Sequence, residues 1–200
     1  MEFKRANIHS KLDSGPILIT PSDTEEMIKN IYLHEQRSFF IVTAEGDYDD
    51  SRIFNYGIIP DKIKQIESAF NSGKTIIIKE VEFWNHVVIN ECKSFGQPTN
   101  VHLYMTPKKG TTFGWHSDDR DVYIYMQFGE KTFEVEEPDH KISTYKLKAG
   151  SRLYIPYGAK HRALQGEHTS IHLGFGVWKE NICIQNEYES FPIDVSLNFS

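Results

Sequence analysis

The chain has 200 residues, 39% hydrophobic and 25% charged, a composition that suits one globular domain and argues against wholesale disorder. Its formal net charge is −6 and it has no basic block, which argues against backbone-driven binding of DNA or RNA. The longest unbroken apolar run, Val122–Met126, is far shorter than the about 20 residues a membrane span requires. The start, Met1-Glu2-Phe3-Lys4-Arg5, leads into no apolar stretch, so neither membrane attachment nor a secretory leader is expected. Cys92 and Cys183 form no CxxC pair, and free thiols in a reducing cytoplasmic setting are the simplest expectation.

In chain order, the first ninety-odd residues read as helix and loop with a few short strands. Ser22 and Glu25 have the spacing of a capping box ahead of the helical stripe Met27, Ile28, Ile31 and Tyr32. The acidic stretch Glu45–Asp50 reads as a solvated loop; the spacing and terminal Glu of an EF-hand are missing. Pro60 fits the first turn of a second helix carrying Ile63, Ile66 and Phe70 and closed by Gly73. A strand over Lys74–Lys79 and a helix over Phe83–Phe95 follow.

From about residue 100 the apolar period becomes two. Val101–Thr106, Asp121–Phe128, Lys131–Glu136, Ser143–Lys148, Ser151–Ile155 and Ser170–Trp178 read as strands divided by Gly, Pro and Asp turns. Short strands at this spacing indicate a sandwich or barrel, with the helical first half covering one face. The expected architecture is therefore one α+β domain over residues 1–200. It comprises a cover (1–99), a barrel core (100–178) and a short tail (179–200).

His116, Asp118 and His161 are the residues with chemical content. Positions i and i+2 of a strand share a face, so His116 and Asp118 can converge, and a histidine from a later strand can complete a facial set. Two imidazoles and one carboxylate suit a non-haem Fe(II) that must bind further ligands. The spacing alone is unspecific, because nine His and 28 acidic residues give about 1.3 such pairs by chance. An exposed His beside an acidic turn is the plain alternative.

The ordered motifs around these residues resemble the JmjC-type Fe(II)/2-oxoglutarate oxygenases of the cupin fold, particularly the branch that includes the ribosomal oxygenases. The resemblance runs from about Gly73 to Val177. It rests on Gly73-Lys74-Thr75 before isoleucines, Tyr104-Met105-Thr106-Pro107 and the block His116-Ser117-Asp118-Asp119-Arg120-Asp121-Val122. Gly129-Glu130-Lys131, Leu153-Tyr154-Ile155-Pro156-Tyr157-Gly158, Lys160-His161 and Ser170-Ile171-His172-Leu173 continue it in order. The resemblance implies a cupin-type double-stranded β-helix (jelly roll), mostly β, with a helical N-terminal cover. It implies Fe(II) on His116, Asp118 and His161, with 2-oxoglutarate as co-substrate bound by Lys131 and Tyr104. O2 would be the second co-substrate and hydroxylation of a C–H bond the reaction. Lys131 shares a strand face with Phe133 and Val135, which makes it a lone charge on an apolar side.

The chain departs from that pattern at His102, where the branch carries Asn, and at Met126, where it carries Gln, with Gln127 alongside. Gly174 and Gly176 stand where relatives often carry Ser or Thr. His172 alternates with apolar neighbours and reads as a core residue or a neighbour of the ligands. His9, His34, His86, His140 and His168 read as surface, and Phe113, Trp115 and Trp178 as packed aromatics that could also line a pocket. Ribosomal oxygenases dock ribosomal proteins with further C-terminal parts, which Lys179–Ser200 does not supply. The expected substrate is therefore a small molecule or peptide side chain, with no nucleic acid and with homodimerisation left open. A cupin isomerase or dioxygenase that does not use 2-oxoglutarate, and a non-catalytic cupin binding module, stand as alternatives.

Overall fold

The computed structural model describes residues 8–29, 39–42, 48–49, 59–83 and 85–179. His34, most of Glu45–Asp50, Cys183 and the tail after Lys179 lie outside them.

The chain enters with β1 (Lys11–Ser14), α1 (Pro21–Lys29), β2 (Phe39–Val42), β3 (Tyr48–Asp49), α2 (Ile59–Asn71) and β4 (Thr75–Ile78). A single 3-10 turn (Val81–Phe83) and α3 (His86–Ser94) lead into β5 (Thr99–Thr106) and β6 (Asp121–Phe128). There follow β7 (Glu130–Glu136), β8 (Ile142–Lys148), β9 (Ser151–Ile155), β10 (His161–Ala163) and β11 (Ser170–Val177). They form an eight-stranded sheet, β1-β9-β6-β11-β5-β4-β2-β3, facing a three-stranded sheet, β10-β7-β8. This is the expected mostly-β jelly roll with helices.

The N-terminal part is more than a helical cover. Its strands extend both edges of the large sheet: β1 pairs with β9, while β4 pairs with β5 and carries β2 and β3 outward. The α1 cap also differs from expectation. Thr20, not Ser22, closes it: its backbone N–H donates to Asp23 Oδ2 at 2.6 Å, and Asp23 N–H donates to Thr20 Oγ1 at 3.2 Å. Pro21 at the first helical position needs no donor partner, which moves the start ahead of Ser22. The helix expected over Phe83–Phe95 starts later, because Asn85 Oδ1 accepts from Val87 N–H at 2.9 Å and Val88 N–H at 3.2 Å, the geometry of an N-cap.

Alternation along the large sheet separates two environments. Val101 and Leu103 of β5, Ile76 and Ile78 of β4, and Ile171, Leu173 and Phe175 of β11 pack outward against the helices. Inside, Ile124, Met126 and Leu153 meet Phe133, Val135 and Leu147 of the small sheet. Met126 thus faces inward and Gln127 faces away. The Gln127 amide is consumed by the N-terminal segment, accepting from Leu18 N–H at 2.6 Å and Ile19 N–H at 3.1 Å, so it does not replace an inward glutamine.

The tight β6–β7 turn depends on Gly129, at φ +70°, where a Cβ would fall on the carbonyl oxygen of Thr169. Left-handed backbone alone costs a non-glycine residue about 1–2 kcal/mol, and the collision adds to it. Gly129→Ala should destabilise the protein by at least about 2 kcal/mol in urea unfolding; an unchanged midpoint would show that the turn relaxes freely.

Candidate active site

His116 and His161 meet through an isolated antiparallel bridge, not through a strand running past His116. His116 N–H donates to the His161 carbonyl at 3.1 Å, and His161 N–H donates to the His116 carbonyl at 2.8 Å. The bridge ties the loop before β6 to the first residue of β10. Gly158 N–H, donating to the Asp118 carbonyl at 3.1 Å, anchors the same loop again. His116 and Asp118 are thus placed by a bridged loop, not by the i, i+2 face of one strand.

The side chains converge. One ligand atom from each of His116, Asp118 and His161 lies within 4.8 Å of the others. The imidazole centroids are 4.3 Å apart, and His161 Nε2 lies 3.4 Å from Asp118 Oδ2. The Nδ1 atom of His116 is 2.9 Å from the Gly114 carbonyl, and that of His161 is 3.0 Å from the Ala159 carbonyl. A carbonyl only accepts, so each Nδ1 carries a proton, which leaves Nε2 as the ring atom that can ligate. Burial, followed by the neighbouring His116, holds the His161 imidazole below the usual histidine range, which favours the neutral ligating form. Asp119 is no substitute for Asp118, because it is exposed and its Oδ1 accepts from Arg120 Nε at 2.6 Å.

A cavity of about 650 Å³ opens beside this cluster, between the two sheets. Lys131 reaches it from β7 and is only 3% exposed. No described carboxylate forms an ion pair with Lys131, and burial pushes its ammonium down to about 8. Tyr104 stacks on His172 at 4.6 Å between centroids, and Phe133 packs edge-on against His172 at 5.5 Å. Burial and the nearby Lys131 push His172 down to about 3, so it is neutral, and its Nδ1 has no hydrogen-bond partner within the protein. An orphaned polar atom beside an uncompensated cation marks a space built for a polar, anionic guest.

Among the aromatics, Phe113 and Trp115 line the cavity, while Trp178 lies under the Arg120 guanidinium at 4.0 Å. The exposed His9, His86, His140 and His168 stand apart from the cluster. Cys92 is buried, its thiol pushed up to about 12 by burial and by Glu82, and takes no part. Missed from the sequence were Asn100, Arg120 and Lys79, which also line the cavity. The alternation Asn100–His102–Tyr104 along β5 was the available signal.

Comparisons with known proteins bear on the fold. Residues 77–146 match the JmjC domain model. The fold is a cupin-type jelly roll. Escherichia coli ribosomal oxygenase YcfD is similar, with a TM-score of 0.63 and 14% identity over 88% of this chain and 50% of that one. The structure of YcfD in complex with cobalt and 2-oxoglutarate matches at TM-score 0.61 and 15% identity, over 94% of this chain and 59% of that one. YcfD in complex with cobalt and succinic acid matches at 0.60 and 15%, over 86% and 49%. This chain therefore spans about half the length of the solved proteins it resembles. Comparison with curated protein sequences gave no match.

The isolated Lys131 charge bears on the stability of this barrel. Its folded pKa lies below its ordinary value of 10.5, so the unfolded chain holds the extra proton between about 8 and 10.5. Stability of the ligand-free protein should rise with pH across that window, the gain vanishing again as pH falls through about 8. Lys131→Met should stabilise the ligand-free protein by on the order of 1–3 kcal/mol at pH 7 in urea unfolding. A loss of stability in that variant would mean that the ammonium is compensated.

Proposed function

We propose that this chain is an Fe(II)- and 2-oxoglutarate-dependent hydroxylase acting on a C–H bond of a peptide side chain or an amino-acid-like small molecule. The observation that carries the reading is the pairing of two features in one cavity. A His–His–carboxylate set has its ligand atoms converging with each Nδ1 tied to a carbonyl, and a buried lysine has no described carboxylate paired to it.

His116, Asp118 and His161 would hold the metal, one anion and two neutral donors leaving coordination positions open. Lys131 would bind the far carboxylate of 2-oxoglutarate, which supplies the counter-charge the ammonium lacks and gives it back a value nearer the ordinary lysine range. Tyr104, fixed by its stack on His172, would add a hydrogen bond from its hydroxyl. The carbonyls of Gly114 and Ala159 keep the imidazoles in one tautomer and one orientation. Iron with 2-oxoglutarate and O2 supplies the oxidising power: one oxygen atom enters the substrate C–H bond, the other enters succinate, and CO2 leaves. The barrel's part is to position that bond and to restrict water.

Anaerobic addition of Fe(II) and 2-oxoglutarate should give the visible metal-to-ligand charge-transfer band. Iron binding without the band would favour a cupin that does not use 2-oxoglutarate, and neither signal would favour a binding module. His116→Ala, Asp118→Ala and His161→Ala should each abolish the band and succinate formation while thermal unfolding remains cooperative. Near-normal turnover in any one of them would remove that residue from the ligand set.

Lys131→Ala should raise the 2-oxoglutarate concentration needed for half-maximal turnover by roughly 30-fold to 1,000-fold, with iron affinity nearly unchanged. That range corresponds to on the order of 2–4 kcal/mol for a charge-assisted hydrogen bond in a dry site. Lys131→Arg should recover part of it, and an unaltered co-substrate requirement would assign the far carboxylate to another residue.

A further inference from the structure

The end of the cavity lined by Gly174 and Gly176 has a chemistry that the metal and Lys131 leave unused. Along the inner face of the large sheet the antiparallel register sets out rows of residues. Tyr104 sits opposite His172, His102 opposite Gly174, and Asn100 opposite Gly176, with Ile124 and Val122 on the other flank of the glycines. Two successive inward glycines cut a trough in β11. Gly176 is the tighter of the two: a Cβ there would lie 2.5 Å from both Arg120 Cδ and Asn100 Oδ1. Arg120 occupies the space that a side chain at 176 would take.

Arg120 is held as a receptor group would be. Its Cζ lies 4.0 Å from the Trp178 ring centre. Nε donates to Asp119 at 2.6 Å, and Nη1 donates to Asn100 Oδ1 at 3.4 Å. No described residue accepts from Nη2. The Asn100 amide nitrogen is 3.4 Å from His102 Nε2, which therefore accepts and leaves the Nδ1–H as that ring's donor. Burial first, then Lys79 and Arg120, push His102 down to about 4, so the ring is neutral and the two flanking cations supply the charge. Lys79 and Arg120 both line the cavity, and Asp118 is the sole carboxylate among its described lining residues. That carboxylate belongs to the metal set in the proposed site.

From this arrangement we infer that the Arg120–Asn100–His102 end of the cavity, with Lys79 at its side, binds a carboxylate of the molecule to be hydroxylated. The inference rests on the proposed metal and co-substrate site and names the substrate class for it: an acidic amino-acid derivative, or an acidic side chain presented by a peptide. A guanidinium with a free Nη2 edge recognises a carboxylate directionally, and the neutral His102 and the Asn100 network orient that guanidinium without adding repulsion. A cationic substrate group would meet the like charge of the Arg120 guanidinium instead of a partner for its Nη2 edge.

Calorimetric titration of the protein loaded with cobalt(II) and saturating 2-oxoglutarate tests the inference. The probes are N-acetylglutamate and the peptide Ac-Ala-Glu-Ala-NH2, each with its glutamine counterpart, and Ac-Ala-Arg-Ala-NH2. At least one acidic probe should bind, its glutamine counterpart at least tenfold more weakly and the arginine peptide not measurably. The better of the two acidic probes tells a free metabolite from a peptide side chain. Arg120→Gln should weaken the acidic probe at least tenfold, and Lys79→Gln several-fold. Gly176→Ala, whose Cβ would push the Arg120 stem and the Asn100 amide aside and so weaken the acidic probe, is a second variant should Arg120→Gln unfold. With Fe(II) in place of cobalt, the charge-transfer band should persist as the probe binds, because the probe does not displace 2-oxoglutarate. Equal binding of neutral or cationic probes, no binding of either acidic probe, indifference to these substitutions, or loss of the band on probe addition would overturn the inference. Failure of the band in the absence of any probe would instead overturn the proposed function. The same titration on unloaded protein would then still read the Arg120 end.

Discussion

Two reciprocal hydrogen bonds between His116 and His161 hold the candidate site together. They join a loop that leads into the large sheet to a three-residue strand of the small one and set these two histidines opposite each other. An antiparallel pair that exchanges both bonds keeps its Cα atoms about 5.5 Å apart and sends both side chains to one face. Convergence of the imidazoles therefore follows from main-chain pairing. Each ring is then turned by a carbonyl two residues upstream, Gly114 for one and Ala159 for the other. Asp118 is added by the same loop, whose carbonyl at 118 is fastened by Gly158 and whose Asp121 accepts from Tyr157 N–H at 2.8 Å. Orientation is set before any ligand arrives, so little freedom remains to be lost on binding.

How far this was legible in the sequence depended on whether the signal was local. The strands from β5 to β9 and β11 were readable because alternation and turn residues are properties of neighbouring positions. Lys131 was readable for the same reason, as a charge on a face otherwise occupied by Phe133 and Val135. What escaped was long-range. The short strand β10 carries His161 yet has only three residues, and its pairing with β7 leaves no periodic trace. β1 becomes a strand only because β9 offers an edge to it some 140 residues later. Arg120 stands in the sequence only as one member of the His116–Val122 block; its setting emerges when Trp178 and Asn100, distant in sequence, are placed beneath and beside it.

The family resemblance and the residue chemistry contributed different things. The ordered motifs point to the barrel, and the match over residues 77–146 agrees with them. The departures were uninterpretable as motifs, since a glycine in place of Ser or Thr says only that a side chain is missing. Register gives them meaning. His102 faces Gly174 and Asn100 faces Gly176 across one strand pair, so the larger group on one strand is matched by the absence of a side chain on the other. The changes are complementary in space though separated by more than seventy positions in the chain.

The outward face of the same sheet explains how so polar an interior can be tolerated. A buried Lys131, a neutral His172 with an unpaired Nδ1 and the polar row Asn100–His102 all weigh against folding. Their alternate neighbours Val101, Leu103, Ile171, Leu173 and Phe175 are buried against the helical layer. Full burial of each such side chain contributes about 1.5–3 kcal/mol, so a few of them offset the inward polar groups. The helices are therefore more than a lid. They supply an apolar environment for one set of alternate residues, which frees the other set for recognition and chemistry. A helix-facing truncation such as Leu173→Ala would then lower stability while leaving the inward rows chemically intact. By contrast, changes at His172 or Gly174, one residue away on either side, would act on the cavity itself.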